Sequence, residues 1–152
     1  MAFTLRSSAF DDEQAITRPY TCDGANLAPP LAWSEPPQGT RSFALIMDDP
    51  DAPSGTFTHW LLYDIPATAT DVADPSLGKT LRNDFGRAAY AGPCPPVGHG
   101  AHRYFFTLYA VDVPSLTLKG TARKALDRVL QAHTLGTARL MGRYERTGKK
   151  SP

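Results

Sequence analysis

The chain has 152 residues, 41% hydrophobic and 20% charged, with sixteen Lys and Arg against fifteen Asp and Glu. That length suits one domain able to bury a core without a metal or disulfide staple. A formal charge of +1 excludes a global field that draws nucleic acid or an anionic membrane to the protein, so any anion binding must be local.

The composition and termini set further bounds. Fourteen prolines are about 9% of the chain against a usual ~5%. Spread along the sequence, they predict many ordered turns between short elements, because proline is excluded from helix interiors and central strands. Residues 1–152 read as a single domain, with 145–152 a flexible basic tail. Met1 to Phe10 lacks the charged and apolar regions of a leader, and no run of 18 apolar residues marks a membrane span. The default expectation is a cytoplasmic protein whose two cysteines, Cys22 and Cys94, are free thiols. Spacing alone leaves open whether the two approach each other.

In chain order, the first long turn-rich stretch is Cys22 to Pro37. Arg41 to Met47 follows as a short apolar strand ending at Asp48-Asp49-Pro50. After a loop, His59 to Ile65 is an aromatic and aliphatic strand stopped by Pro66. A long loop, Asn83 to His102, then leads into Arg103 to Asp112. This is the strongest strand signal, apolar on nearly every residue from Tyr104 to Val111 and so expected to be buried on both faces. From Thr121 to Thr134, Ala122, Leu126, Val129, Leu130 and His133 recur at helical spacing while Arg123, Lys124, Asp127 and Arg128 face away. Gly120 and Gly136 punctuate this helix, whose narrow apolar face fits packing on a sheet better than a membrane surface. A last strand runs from Thr137 to Tyr144.

The long loops hold the candidate chemistry. His59, His99 and His102 lie in or beside them, and Asp48, Asp49 and Asp51 sit in the loop before His59. Imidazolium, a tyrosine hydroxyl and loop N–H groups can surround a phosphate oxygen. A carboxylate can orient the imidazole and keep it a donor near neutral pH. His59, His102 and Tyr104 supply donors, Asp49 the orienting carboxylate, and Gly98 and Gly100 a tight loop. Arg103 should point to the face opposite His102 and pair with an aspartate.

Two rival readings compete. His99 and His102 with Asp49 or Asp51 make a weak metal pattern. Cys94 or Ser54 with His102 and Asp51 makes a weak hydrolase pattern, without a nucleophile elbow and with Cys94 between two prolines. Asp84-Phe85-Gly86 reads as a turn. The residues thus favour a binding protein, not an enzyme, with no metal and no cofactor.

Asp49-Pro50-Asp51-Ala52-Pro53 with His59-Trp60 resembles the first signature of the phosphatidylethanolamine-binding protein family. Gly92-Pro93-Cys94-Pro95-Pro96-Val97-Gly98-His99-Gly100-Ala101-His102-Arg103-Tyr104 resembles the second, in its bacterial, Raf-kinase-inhibitor-like form. Asn83-Asp84-Phe85-Gly86, Tyr20 to Gly24, Pro29 to Trp33 and Gly136 to Tyr144 also fit. The resemblance spans about residues 4 to 145. It implies a mostly β, Greek-key fold of two antiparallel sheets with a few peripheral helices. It further implies a small-anion or phosphate pocket lined by Asp49, Asp51, His59, Cys94, Pro95, Pro96, His102 and Tyr104. The ligands it implies are phosphoethanolamine-like headgroups or phosphorylated residues, and the alternative role is restraint of a kinase or protease through the pocket loops. No nucleic acid or integral membrane partner is expected, and the oligomeric state, homodimer included, stays open.

Overall fold

A computed structural model describes residues 2–72 and 75–147. Seven strands form two antiparallel sheets: β1 (Thr4–Arg6), β2 (Ala32–Ser34), β3 (Ser42–Asp49), β4 (Phe57–Pro66), β5 (Lys79–Leu81), β6 (His102–Val111) and β7 (Thr134–Tyr144). β1 and β2 pair alone, and the larger sheet has the order β5-β4-β3-β6-β7. β3, β4 and β5 are consecutive neighbours, and the chain then crosses back to lay β6 beside β3. That is the Greek-key order, and the returning segment, residues 82–101, carries no helix or strand.

The sheet is covered on both sides. Phe43, Leu45 and Met47 of β3 and Tyr104, Phe106, Leu108 and Ala110 of β6 face a core closed by Leu5, Phe10, Ile16 and Trp33. Ala44, Ile46 and Leu61 face the other way, against Leu116 and against Leu126 and Leu130 of the helix α1 (Arg123–His133). Burying each of those leucines contributes about 1.5–3 kcal/mol, which accounts for the helical spacing. β6 is central, as its apolar run predicts, but its odd-numbered side is fully buried only at Val111. Phe105, Thr107 and Tyr109 are half-buried.

Three expectations are corrected. Arg123 does not face away from the sheet: its guanidinium turns back onto Asp48, at 2.6 and 3.0 Å, because an acidic strand end lies beneath the first turn of the helix. Gly136 does not terminate the helix, which ends at His133. β7 starts at once, and Gly136 pairs with Ala110 inside it. Arg146 is not part of a free tail, since its side chain meets Asp23 at 3.2 Å and its carbonyl accepts the Gly98 N–H. The remaining basic tail, with Lys149 and Lys150, lies outside the described residues.

Candidate functional site

Strand alternation decides which acidic residue reaches which face. Along β3 the odd-numbered residues Phe43, Leu45 and Met47 point into the main core, so Asp49 continues that face and Asp48 falls on the helix side. Along β6 His102 and Tyr104 share the face of Phe106. Asp48 opposes Phe105 in the register, which brings Asp49 beside Tyr104 at the same end of the sheet.

His59 reaches this face through a break in register. Met47 pairs with Trp60, but the next residue, Asp48, pairs with Thr58. His59 is therefore the extra residue of a β-bulge. In an unbroken strand it would share the helix side with Leu61. The bulge re-aims it, and its ring stands edge-on to Tyr104 with centroids 5.3 Å apart.

Buried Asn83 holds the bulge in place. Its amide nitrogen donates to the carbonyls of His59 (3.0 Å) and Ala89 (2.9 Å), and its side-chain oxygen accepts the N–H groups of Phe85 and Arg87. All four of its hydrogen bonds are made. Phe85 and Phe57 close around the His59 ring at 5.4 and 5.2 Å.

The hydrogen bonds fix the imidazole states. His59 Nδ1 lies 2.7 Å from the Ala91 carbonyl, which only accepts, so Nδ1 carries the hydrogen and the neutral ring leaves Nε2 as an acceptor. Burial pushes the pKa of His59 down, and the Ala91 carbonyl and Asp49 only partly oppose this. The expected imidazolium at His59 is thus corrected: the ring is neutral near pH 7. His102 Nδ1 lies 2.7 Å from Asp49 Oδ2, while Asp49 Oδ1 accepts the Asp51 N–H at 2.8 Å. Asp49 is an orienting carboxylate, and the histidine it holds is His102. The other nitrogen of His102, Nε2, lies 2.6 Å from Nδ1 of His99.

Tyr104 is fully buried, and its hydroxyl makes no hydrogen bond of good geometry among the described residues, although the Asp49 carboxylate lies near enough to act on it. Burial first, then the Asp49 charge, raises its pKa above the usual phenol range. It stays protonated and has a hydrogen to give.

Other expected residues fall elsewhere. Asp51 leaves the site and takes Arg103 in a two-pronged pair, both contacts 2.9 Å. That guanidinium, above all by direct hydrogen bonding, holds the Asp51 carboxyl at a pKa of about 2. Arg103 does point away from His102 and does pair with an aspartate. Pro95 is buried and Pro96 exposed, on the segment that carries His99.

Cys94 is not a free thiol. It is bonded to Cys22, 72 residues away in sequence, with Cα atoms 5.4 Å apart. The two loops run against each other. The Cys22 N–H donates to the Pro93 carbonyl at 3.1 Å, the Gly92 N–H to Asn26 Oδ1 at 2.8 Å and the Tyr90 hydroxyl to the Tyr20 carbonyl at 2.8 Å. A Cβ on Gly92 would come within 2.3 Å of the Tyr20 carbonyl, so only glycine allows this approach.

The disulfide removes the thiol on which a Cys-His hydrolase would depend. The residues of the metal pattern, His99, His102 and Asp49, are hydrogen-bonded in a row. No group of three or more His, Cys, Asp or Glu placed to hold a metal occurs among the described residues. The Asp84-Phe85-Gly86 triplet is a turn, with Asp84 accepting the Thr58 N–H. Two contributors escaped sequence reasoning: Asn83, read only as part of a motif, and the direct contact of His99 with His102, of which the His-x-x-His spacing was the one signal.

The profile of the phosphatidylethanolamine-binding protein family matches residues 6–145. The chain belongs to that family. An uncharacterised-family (UPF0098) protein of Aquifex aeolicus is 46% identical over 148 residues, covering 92% of this chain and 86% of its own. A counterpart in Mycobacterium tuberculosis is 48% identical over 147 residues, covering 93% of this chain and 70% of its own. Among solved structures, Escherichia coli YbcL superposes with a TM-score of 0.87 at 31% identity, over 95% of this chain and 99% of YbcL. A family homologue from Chlamydia trachomatis gives 0.87 at 34%, over 95% and 98%. A carboxypeptidase Y inhibitor solved with its cognate proteinase shares the fold, with a TM-score of 0.60 at 17% identity over 95% and 83%. The family fold supports a binding or regulatory role.

Proposed function

We propose that this chain is a non-enzymatic binding protein that takes a small anion or phosphate-bearing group beside Asp49, His59, His102 and Tyr104. The single observation that carries the reading is the Tyr104 hydroxyl. Leaving a buried hydroxyl unpaired costs about 1–3 kcal/mol, and groups left so in native proteins are commonly used by a ligand or water. Tyr104 is flanked by His59 and His102, and it donates to an incoming oxygen. His102, oriented by Asp49, offers Nε2. His59 accepts from a P–OH hydrogen or takes up a proton as the anion arrives. Because the Asp49 carboxylate lies at the same site and repels a second anion, proton uptake by His59 accompanies binding.

The test is isothermal titration with inorganic phosphate, with phosphoethanolamine, and with vesicles of phosphatidylethanolamine, for wild type and Tyr104→Phe. Heat with the soluble anions that is reduced roughly tenfold in affinity by Tyr104→Phe supports the site. Binding to vesicles alone assigns the headgroup of a membrane lipid as the source. Equal binding by both proteins, or none, overturns the reading.

A second role, restraint of a protease or kinase through the loops, is supported by Phe85 and Val97, exposed apolar residues of the segment that closes the site. Partner capture that survives Tyr104→Phe but fails with Phe85→Ser and Val97→Ser favours it. The Cys22–Cys94 bond, with Cys94 exposed, supports a working place where thiols are oxidised. Alkylation of both cysteines during lysis of intact cells would return the protein to the cytoplasm.

A further inference from the structure

Both ring nitrogens of His102 are engaged in the free protein: Nδ1 by Asp49 and Nε2 by His99 Nδ1, at 2.7 and 2.6 Å. A ligand oxygen meeting His102 must use Nε2, because Asp49 holds the other nitrogen and is itself buried. The position it must take is the one His99 fills. His102 is also sealed from solvent, whereas His99 is exposed. The site as it stands is occupied by a side chain of its own loop.

The geometry points to His99 as a gate: its imidazole competes with the anion for His102 Nε2 and swings out when the ligand binds. This inference rests on the anion-site reading above and says how that site is regulated and what it selects.

The local backbone suits such a swing. Gly98 and Gly100, on either side of His99, have φ values of +78° and +92°. A Cβ built on either would meet nothing within 4 Å, so open space lies beside the Cα of each. The loop itself is fixed. The Gly98 N–H donates to the Arg146 carbonyl at 2.8 Å, the His99 N–H to the Pro96 carbonyl at 3.1 Å, and Cys94 is cross-linked to Cys22. The His99 side chain therefore moves from an anchored turn and no strand has to open.

Two consequences follow from competition. The observed affinity is the intrinsic affinity multiplied by the fraction of molecules with His99 out. One N–H···N hydrogen bond corresponds to roughly a 3- to 10-fold loss. Selection also follows. A ligand oxygen can only accept from Nε2, so in the state that binds, Nε2 carries a hydrogen and His99 Nδ1 and the ligand compete to accept it; an anionic phosphate oxygen is the stronger acceptor, whereas a carbonyl or hydroxyl ligand is not. The gate favours phosphate monoesters over uncharged groups.

Removing the gate tests it. His99→Ala changes an exposed side chain, so the fold should be kept, which an unchanged Tm verifies. Titration with inorganic phosphate should show roughly 3- to 10-fold tighter binding than wild type. In wild type labelled with nitrogen-15 histidine, phosphate should shift the His99 Nδ1 resonance to that of a free imidazole. Equal or weaker phosphate binding by His99→Ala, while wild type binds, overturns the gate and leaves the anion site standing. A His99 resonance that phosphate does not move also overturns it. No binding by either protein, of phosphate or of phosphatidylethanolamine vesicles in the same comparison, sinks the gate and the anion site together.

Discussion

Asp48 and Asp49 are neighbours in one strand, and each holds a nitrogen base from another strand or helix. Their surroundings make them different. Asp48 meets Arg123 with side chains 23% and 31% exposed, and Thr58 and Asp127 join the group. Burial opposes the Arg123 charge, but Asp48 and Asp127 outweigh it and hold the guanidinium above its ordinary pKa. Asp49 meets His102 with side chains 4% and 3% exposed. The helix side thus has fixed charges that water can screen. The core side has a buried carboxylate, a buried imidazole and a buried hydroxyl that makes no hydrogen bond of good geometry among the described residues. One step along a strand separates a structural clamp from a candidate binding site.

Asp49→Ala should break the comparison most sharply. It strands His102 in a buried setting and should lower stability by about 3–5 kcal/mol, whereas Asp48→Ala should cost about 1 kcal/mol. Urea unfolding of both variants measures the gap, and equal losses would erase the distinction. The double variant Cys22→Ser/Cys94→Ser should lose about 3 kcal/mol. Its faster hydrogen exchange should be confined to the loop over the core side, at residues 92–100, and spare α1.

Acid acts on the core side next. With the folded pKa of His59 below the unfolded value of about 6.5, the unfolded chain takes the proton first. Its contribution to stability is therefore present above pH 6.5 and falls as pH drops, by at most about 1 kcal/mol over the first unit. The difference between wild type and His59→Gln in urea midpoint from pH 7.5 to 5.5 reads this contribution, and parallel curves would refute it. Tyr104→Phe has the smallest effect and the opposite sign. Removing an unpaired hydroxyl should leave stability unchanged or raise it by about 1 kcal/mol. A clear loss on thermal unfolding would mean that the hydroxyl has a partner in the folded chain.

Much of this was legible in the sequence. β3, β4, β6, β7 and α1 carry enough apolar or periodic residues to be found. Alternation within β6 puts His102 and Arg103 on opposite sides, and Asp49 is legible as an orienting carboxylate, though not which histidine it holds. What escaped is non-local or too short. β1, β2 and β5 have three residues each, below the length at which a period can be recognised. The bulge at His59 has no glycine or proline to mark it and depends on the register of the strand opposite. The Cys22–Cys94 bond depends on packing between segments 72 residues apart, which compartment arguments from composition cannot reach. Arg123 matched the solvent side of a helical pattern, and only the location of Asp48 under the helix start turned it inward.

The bond between Cys22 and Cys94 also changes the connectivity of the molecule. It closes residues 22–94 into a covalent ring, and β2, β3, β4 and β5 all lie within it. The rest of the chain, including β6, α1 and β7, hangs from the ring as two arms. A protease that nicks the exposed turn at Phe85 would open the ring without releasing a fragment, leaving β6 and its histidines attached to β3 both by the sheet and by sulfur. Tolerance to a cut at the mouth of the site is thus built into the chain's topology.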